Sequence, residues 1–454
     1  MLRNKENRFG LSEFQEEIGD PEEIAPTEWQ QLIAKYEQEI IGVPLEAVRF
    51  ADGHMGIISS PTRFSRLVDN SEIIRRMVEF ESIRQNKDPD QLIDSITAKV
   101  VEAAELAGVQ ERWTSIKPEE SSRDEVIAKS IMIAVRLLQE YIDQFGEEPE
   151  GIILTSSLLP ENMAELVIEE ALLRGVLTKA PKHFEIRLFC AGSASAIAVA
   201  LAHPEFSQMS NVAIIALEPI SALIKKEHFS EKHFQSTVIF TDEYAIMRMD
   251  PRKFMLSPHS SIVAKDDLGV IKLEPWYTLP DENQETVPAW SETLLRQGEC
   301  SILRVNDQQM MIQMRSPADD EPPAVMHPWN TAKFFAGVSP ELIEAVLIEL
   351  SELPTHVLNH EPSKGVIQLI QKKLSRKFPE LKKLLFWGVG NSSSATMFDQ
   401  ILQEIKLNPN STLFIEPTYM FAPGAGATIA NIVVAAKKPE YSEEVTIFSA
   451  PDSD

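Results

Sequence analysis

Cysteine is scarce: the 454-residue chain has two, Cys190 and Cys300. So few, so far apart, exclude a disulfide framework, and no Cys/His cluster has the spacing of zinc ligands, so no structural metal is expected. Long apolar runs are missing too. No window reaches the ~18 uninterrupted apolar residues of a membrane span. The first segment, "MLRNKENRFGLSEFQEEIGDPEE", has neither the apolar core nor the small-residue cleavage site of a secretory signal. The expectation is a cytoplasmic protein with no membrane partner. Basic residues are in deficit, 43 Lys and Arg against 69 Asp and Glu, for a net charge of −26. Such a field repels nucleic acid and anionic lipid, and its simplest role is a solvated surface that keeps the protein soluble.

What is present is an ordinary globular composition, 43% apolar and 25% charged, in a chain too long for one small core. Residues 1–46 are rich in Glu, Gln and Pro and read as an extension ahead of the core, with a helix at "TEWQQLIAKYEQEII". From Val48 the pattern changes. "AVRFADGHMGIISS" predicts a strand pair, "VDNSEIIRRMVEF" a helix capped by Asp69 or Asn70, and "SSRDEVIAKSIMIAVRLLQEYIDQFG" a helix closed by Gly146. Then "GIILTSS", "FEIRLF" and "NVAIIALEPI" read as apolar strands alternating with the helices "PENMAELVIEEALLRGVL" and "GSASAIAVAL". Continuous apolar strands between helices indicate a parallel sheet covered on both faces.

The same order returns near the C-terminus. "RLFCAGSASAIAVAL … AIIALEP" and "LLFWGVGNSSSATMFDQIL … LFIEP" are each a strand, a small-residue turn, a helix, and a strand expected to end in Glu-Pro, at Glu218 and Glu416. This predicts an internal duplication. The halves span 47–264 and 336–454, and residues 265–335, rich in Pro, Asp, Glu and Trp, read as an insertion or cap between them.

Cys190 closes an apolar strand and stands just before the small-residue helix, where the helix dipole and free N–H groups favour a thiolate. Ala191, Gly192, Ser193 and Ala194 leave room for a substrate to approach. A lone cysteine is more often an inert apolar side chain. Two further residues, however, stand at matching places: His360 at a strand end before "SKGVIQLIQKKL", and Asn391 at the turn "GVGNSSSATM". Ligands of α/β sheets sit at such strand ends, so the three groups can converge.

In these segments the chain resembles the thiolase superfamily, and most closely the β-ketoacyl-acyl carrier protein synthase III group, over Val48 to Lys438. "FCAGSASA" resembles the A-C-A/S-G segment of the nucleophile, "NHEPSKGVIQLIQKKL" the H-Q-x-N segment, and "GVGNSSSAT" the G-x-G-N-T-S segment. "PTRFSRLVDNSEI" is similar to the first strand exit and helix, "GVQERW" to the G-I-R-E-R turn, and "GAGATIANIVVAA" to the terminal Gly-rich turn and strand. The resemblance implies an α/β, thiolase-like, five-layered αβαβα fold of two duplicated halves with mixed sheets, and a homodimer. It implies that Cys190 takes an acyl group from a thioester on coenzyme A or acyl carrier protein, with no further cofactor. Backbone N–H groups of Cys190 and of the turn Gly424, Ala425 and Gly426 would hold the oxyanion. His360 and Asn391 would stabilise the enolate of a malonyl-type thioester as CO2 leaves. An acyltransferase acting on an alcohol or amine, or a silent partner subunit of a synthase, are the other readings. An intact Cys, His and Asn set disfavours the silent one.

The chain also departs from the family. Glu361 and Ser363 replace the Gln and Asn after the histidine, and the G-D-G-A-G turn reads "TDEYAIM", with Asp242 kept between Thr241 and Glu243 and with Ala245 beyond. Ala425 replaces a glycine. Glu102 and Leu106 stand where the family carries the Trp and Arg that clamp the adenine end of coenzyme A. Without ring or cation there, the nucleotide loses its anchor and the acidic chain repels its phosphates. The expected result is that one acyl chain on coenzyme A and on bare pantetheine acylates Cys190 at similar rates. A clear preference for coenzyme A would mean that a replacement clamp exists, with Trp290, Arg296 and Arg304 as the candidates.

Overall fold

The computed structural model describes residues 26–40, 43–273, 304–305, 308–309, 340–379, 391–424 and 428–437, apart from short breaks within these spans. The chain begins with α1 (Pro26–Ile40), β1 (Glu46–Arg49), β2 (Met55–Ser59), β3 (Arg66–Asp69), α2 (Asn70–Gln85), α3 (Ile93–Ala107) and β4 (Glu111–Thr114). It continues through α4 (Arg123–Phe145), β5 (Gly151–Thr155), α5 (Met163–Leu173), β6 (Lys182–Ile186), α6 (Gly192–Ala202), β7 (Val212–Glu218), α7 (Gln235–Ile239) and β8 (Glu243–Met249). Then come β9 (Phe254–Leu256), β10 (Ser261–Asp266), β11 (Gly269–Leu273), a small ribbon of β12 (Arg304–Val305) and β13 (Gln308–Gln309), and β14 (His356–Asn359). The last elements are α8 (Lys364–Leu374), α9 (Thr396–Leu407), β15 (Thr418–Gly424) and β16 (Thr428–Ala436).

Local chemistry sets the helix ends. Asp69 caps α2 by accepting the Glu72 N–H. Ser122 and Glu125 form a reciprocal capping box on α4, which stops at Gly146 in the left-handed region, φ 79°.

One sheet runs β1-β2-β8-β7-β5-β6 and the other β11-β10-β16-β15-β14, with β9 also pairing β16. In the first, β7 pairs in parallel with β5 and antiparallel with β8, so Ile214 faces Ile153 and Met247. In the second, β15 pairs in parallel with β14 and antiparallel with β16, so Met420 faces Leu358 and Ile432. The duplication is therefore real in topology. Its second copy is nevertheless displaced from the expected one: "STLFIEP" is no strand but a turn bridged at Leu413 and Glu416, with Phe414 at φ 63°, and β15 plays the part of β7. The strand expected at "KKLLFWGV" lies outside the described residues.

Alternation along the strands builds the layers. Val212, Ile214 and Ala216 of β7 point into a core shared by both sheets, while Ala213, Ile215 and Leu217 point outward to α1, α4 and α5. On the other sheet, Met420 and Ala422 join the shared core and Tyr419 and Phe421 pack outward against α8. Helices α6 and α9 fill the space between the sheets, through Ala194, Ala196, Ile197 and Ala198 of one and Met397, Phe398 and Ile401 of the other. The order is helix, sheet, helix, sheet, helix. A satellite core of α2, α3 and α7 closes one side.

Two segments belong elsewhere than their composition indicates. Strands β9 to β11 pair in the second sheet, so the chain leaves the first sheet near residue 254. Helix α1, read from sequence as lying ahead of the core, buries Ile33, Tyr36 and Ile40 with α4. Lys35 donates to Glu125 at 2.9 Å, and Arg174 pairs with Glu37. These partly exposed ion pairs contribute little; the apolar contact dominates. Ile33→Ala should cost about 2–4 kcal/mol in chemical denaturation. A cost near zero would place α1 outside the folding unit.

Candidate active site

The site lies on the seam between the halves. Cys190 sits in a 3-10 turn, Phe189–Ala191, immediately before α6, and is buried. Every residue of α6 from Gly192 to Ala200 is buried, since the helix is enclosed by sheets on both sides. Small side chains are what such a position admits. At Gly192 even one Cβ would meet Thr155 Oγ1 at 2.1 Å and Ser394 Cβ at 2.8 Å.

Asn391 arrives from the other half at the head of a matching 3-10 turn, Ser393–Ala395, that leads into α9. Its N–H donates to Ile239 O at 2.9 Å, and its carbonyl accepts the Thr241 N–H at 3.1 Å. Asn391 Oδ1 accepts the Ser393 N–H at 2.9 Å and the Cys190 Sγ–H at 4.0 Å. With Oδ1 so engaged, the Nδ2 amide is the group left to donate elsewhere.

His360 follows β14 directly, and its N–H donates to Phe421 O of β15, at 2.8 Å. The Cys190 turn packs against that same strand. Neither imidazole nitrogen has a partner among the described residues, and burial alone pulls the ring down to about 3, so it is neutral at physiological pH. A neutral imidazole can donate from one nitrogen and accept at the other. Of the oxyanion candidates, Gly424 ends β15 opposite Thr428, whereas Ala425 and Gly426 lie outside the described residues. Cys300 lies outside them as well.

Some residues that hold the site escape motif reading. Glu218, noted from sequence only as a repeat marker, is a buried carboxyl accepting from the Ser157 N–H at 3.2 Å, the Ser157 hydroxyl at 3.0 Å, the Ser394 N–H at 3.4 Å and the Ser394 hydroxyl. Burial pushes it up to about 8 against the pull of these bonds. The altered G-D-G-A-G turn is also structural. Asp242 accepts from the backbone and hydroxyl of Ser115 and of Ser221, Thr241 Oγ1 takes the Trp113 N–H at 2.7 Å, and Glu243 accepts from the Ser392 hydroxyl. Burial raises Asp242 too. Among the described residues no His, Cys, Asp and Glu cluster could hold a metal ion, and no helix is long and apolar enough to cross a membrane. Glu102 and Leu106, one turn apart on α3, are both exposed, Leu106 by 60%.

No family model and no curated protein matches the sequence. Solved structures do match. A 3-oxoacyl-(acyl carrier protein) synthase from Burkholderia xenovorans is 15% identical with a TM-score of 0.52, over 87% of this chain and 97% of that one. The synthase III, FabH, of Pseudomonas aeruginosa is 10% identical with a TM-score of 0.51, over 87% and 98%. AbyA1, a tetronic acid condensing enzyme, is 13% identical with a TM-score of 0.51, over 81% and 95%. The chain thus has the fold of these condensing enzymes, as the resemblance implies.

The buried, neutral His360 has a thermodynamic signature. Its folded value, about 3, lies below the ordinary 6.5, so between these the unfolded chain binds more protons and stability is lost as pH falls. His360→Gln should flatten the stability profile from pH 6.5 downward, by up to about 1.4 kcal/mol per pH unit. Parallel profiles for the parent and the variant would mean that the ring is solvated.

Proposed function

We propose that the protein is a condensing enzyme of the β-ketoacyl synthase III type, working through Cys190, His360 and Asn391. The observation that carries this reading is the contact between Cys190 Sγ and Asn391 Oδ1, 4.0 Å, at a buried seam in the fold of condensing enzymes. Two similar turns, one from each half, carry the thiol and the amide, and His360 follows β14 with its N–H on β15, the strand against which the Cys190 turn packs.

In the first half-reaction the Cys190 thiolate attacks the carbonyl of an acyl thioester, the carrier thiol leaves, and the acyl group stays on sulfur. The oxyanion is held by the Cys190 N–H and by one from the turn at Gly424 to Gly426, each donor contributing about 3 kcal/mol. In the second, His360 and the Asn391 amide donate to the carbonyl of a malonyl-type thioester. As its carboxylate departs as CO2, the electron pair forms an enolate. The enolate carbon attacks the acyl-cysteine, Cys190 leaves as thiolate, and a β-ketoacyl thioester is released. The neutral state of His360 supports this role, because a proton already on one nitrogen can be shared with the enolate oxygen.

The donor is an acyl group on a carrier protein or another thioester that does not rely on a nucleotide. The exposed Glu102 and Leu106 on α3 support this, since neither a ring nor a cation stands there for an adenine or a phosphate. The acceptor is a malonyl-type thioester, and no metal or redox cofactor enters the scheme.

Intact-mass spectrometry with a panel of acyl thioesters should show the adduct on Cys190, absent from Cys190→Ala. His360→Ala and Asn391→Ala should acylate within about two-fold of the parent yet release CO2 from malonyl thioester at least 100-fold more slowly. An adduct that survives Cys190→Ala, or parental CO2 release from Asn391→Ala, would overturn the scheme.

A further inference from the structure

We infer that Glu218 and Ser157 form a latch across the two halves that positions Asn391 against Cys190; this rests on the condensing-enzyme reading. The latch can be followed bond by bond. Glu218 ends β7 and Ser157 lies two residues past β5, both in the first half, and the Ser157 hydroxyl donates to Glu218 at 3.0 Å. A hydroxyl has one proton, so at its 2.6 Å contact with Ser393 Oγ, Ser157 accepts. Ser393 in turn donates its N–H to Asn391 Oδ1, the atom facing the Cys190 sulfur. Ser394 adds a second strap by donating both its N–H and its hydroxyl to Glu218. All of Ser157, Glu218, Ser393 and Ser394 are buried, so water cannot stand in for a missing partner without opening the seam.

Two independent observations show that the turn is held under constraint. Ser393 has φ 52°, in the left-handed region that a non-glycine residue enters only when its surroundings impose it. Ser394 is pressed onto Gly192, where a Cβ would lie 2.8 Å from its own, two residues after Cys190. A turn that relaxed away from Glu218 would thus move Asn391 and release the start of α6 together. Among the described residues, Glu218 bonds to serines and to neither the sulfur nor the amide. It is a positioning residue, acting through serines.

Glu218→Ala would strip the acceptor from four buried donors and put folding at risk, so the test removes its partners one at a time. Ser157→Ala and Ser394→Ala should each acylate Cys190 within about two-fold of the parent and release CO2 from a malonyl thioester at least ten-fold more slowly. Ser157→Thr, which keeps the hydroxyl, should recover most of the loss. A second readout needs no thioester: the pH profile of Cys190 alkylation by iodoacetamide should shift in Ser157→Ala and Ser394→Ala in the direction in which Asn391→Ala shifts it. If Ser394→Ala behaves as the parent in both assays, Glu218 is not the anchor and the latch is wrong. An alkylation profile unmoved by Asn391→Ala would also overturn it, because there would be no contact to position. Should the parent release no CO2 from any malonyl thioester, the condensing reading fails, and alkylation alone decides the latch.

Discussion

A helix enclosed by two sheets has almost no room for side chains, and the architecture around Cys190 follows from that restriction. A helix with ordinary side chains is about 10–12 Å across, and here α6 lies beside α9 in the layer between two sheets. Its residues from Gly192 to Ala200 are Gly, Ser, Ala, Ile and Val, all buried. Because the side chains are short, both sheets approach the helix closely. The turn that leads into α6 is then drawn to the interior, and Cys190 with it. The large residues of the shared core come instead from α9, through Met397 and Phe398, and from the strands. A bulky residue near the start of α6 would separate the halves at the place where Cys190 and Asn391 meet.

Close approach brings polar groups of both halves into the buried interior, where each needs a partner. The structure answers with carboxyls that accept several bonds apiece: Glu218 for Ser157 and Ser394, Glu243 for Ser392, and Asp242 for Ser115 and Ser221. The backbone of Asn391 is stitched to Ile239 and Thr241 in the same way. A left-handed serine costs on the order of 1–3 kcal/mol, and several bonds of about 1 kcal/mol each suffice to hold Ser393 there. The seam is therefore stiff, and it fixes the separation of the Cys190 sulfur from the Asn391 amide.

Legibility in the sequence followed the strength of local signals. The strands at Gly151–Thr155 and Val212–Glu218 are readable because both of their faces are buried, which leaves an unbroken apolar run. The turns at Cys190 and Asn391 are readable from small residues at a strand-to-helix junction. "STLFIEP" misleads for a physical reason: Phe414 and Leu413 are apolar because they plug the core from a turn, and apolar content without period does not distinguish a plug from a strand. Helix α1 is readable as a helix but not as core, since Ile33, Tyr36 and Ile40 make only a narrow stripe among Glu and Gln. The role of Glu218 has no local signature. A buried carboxyl is specified by serines 61 and 176 positions away, and only the folded chain brings them together.

The charge of the chain and the chemistry of the site are separate matters. The net charge is −26, and the field of exposed charges is screened over about 8 Å at physiological ionic strength. It acts at the surface and has little hold on the seam. There, burial works against charge of either sign. It holds His360 neutral from above and pushes Glu218 and Asp242 toward their protonated forms from below. Burial therefore opposes fixed negative charge along the seam beside Cys190, whatever the surface carries. Acidic residues on the outside are thus compatible with a seam of little fixed charge within, provided that the carboxyls inside are answered by hydroxyls and amides.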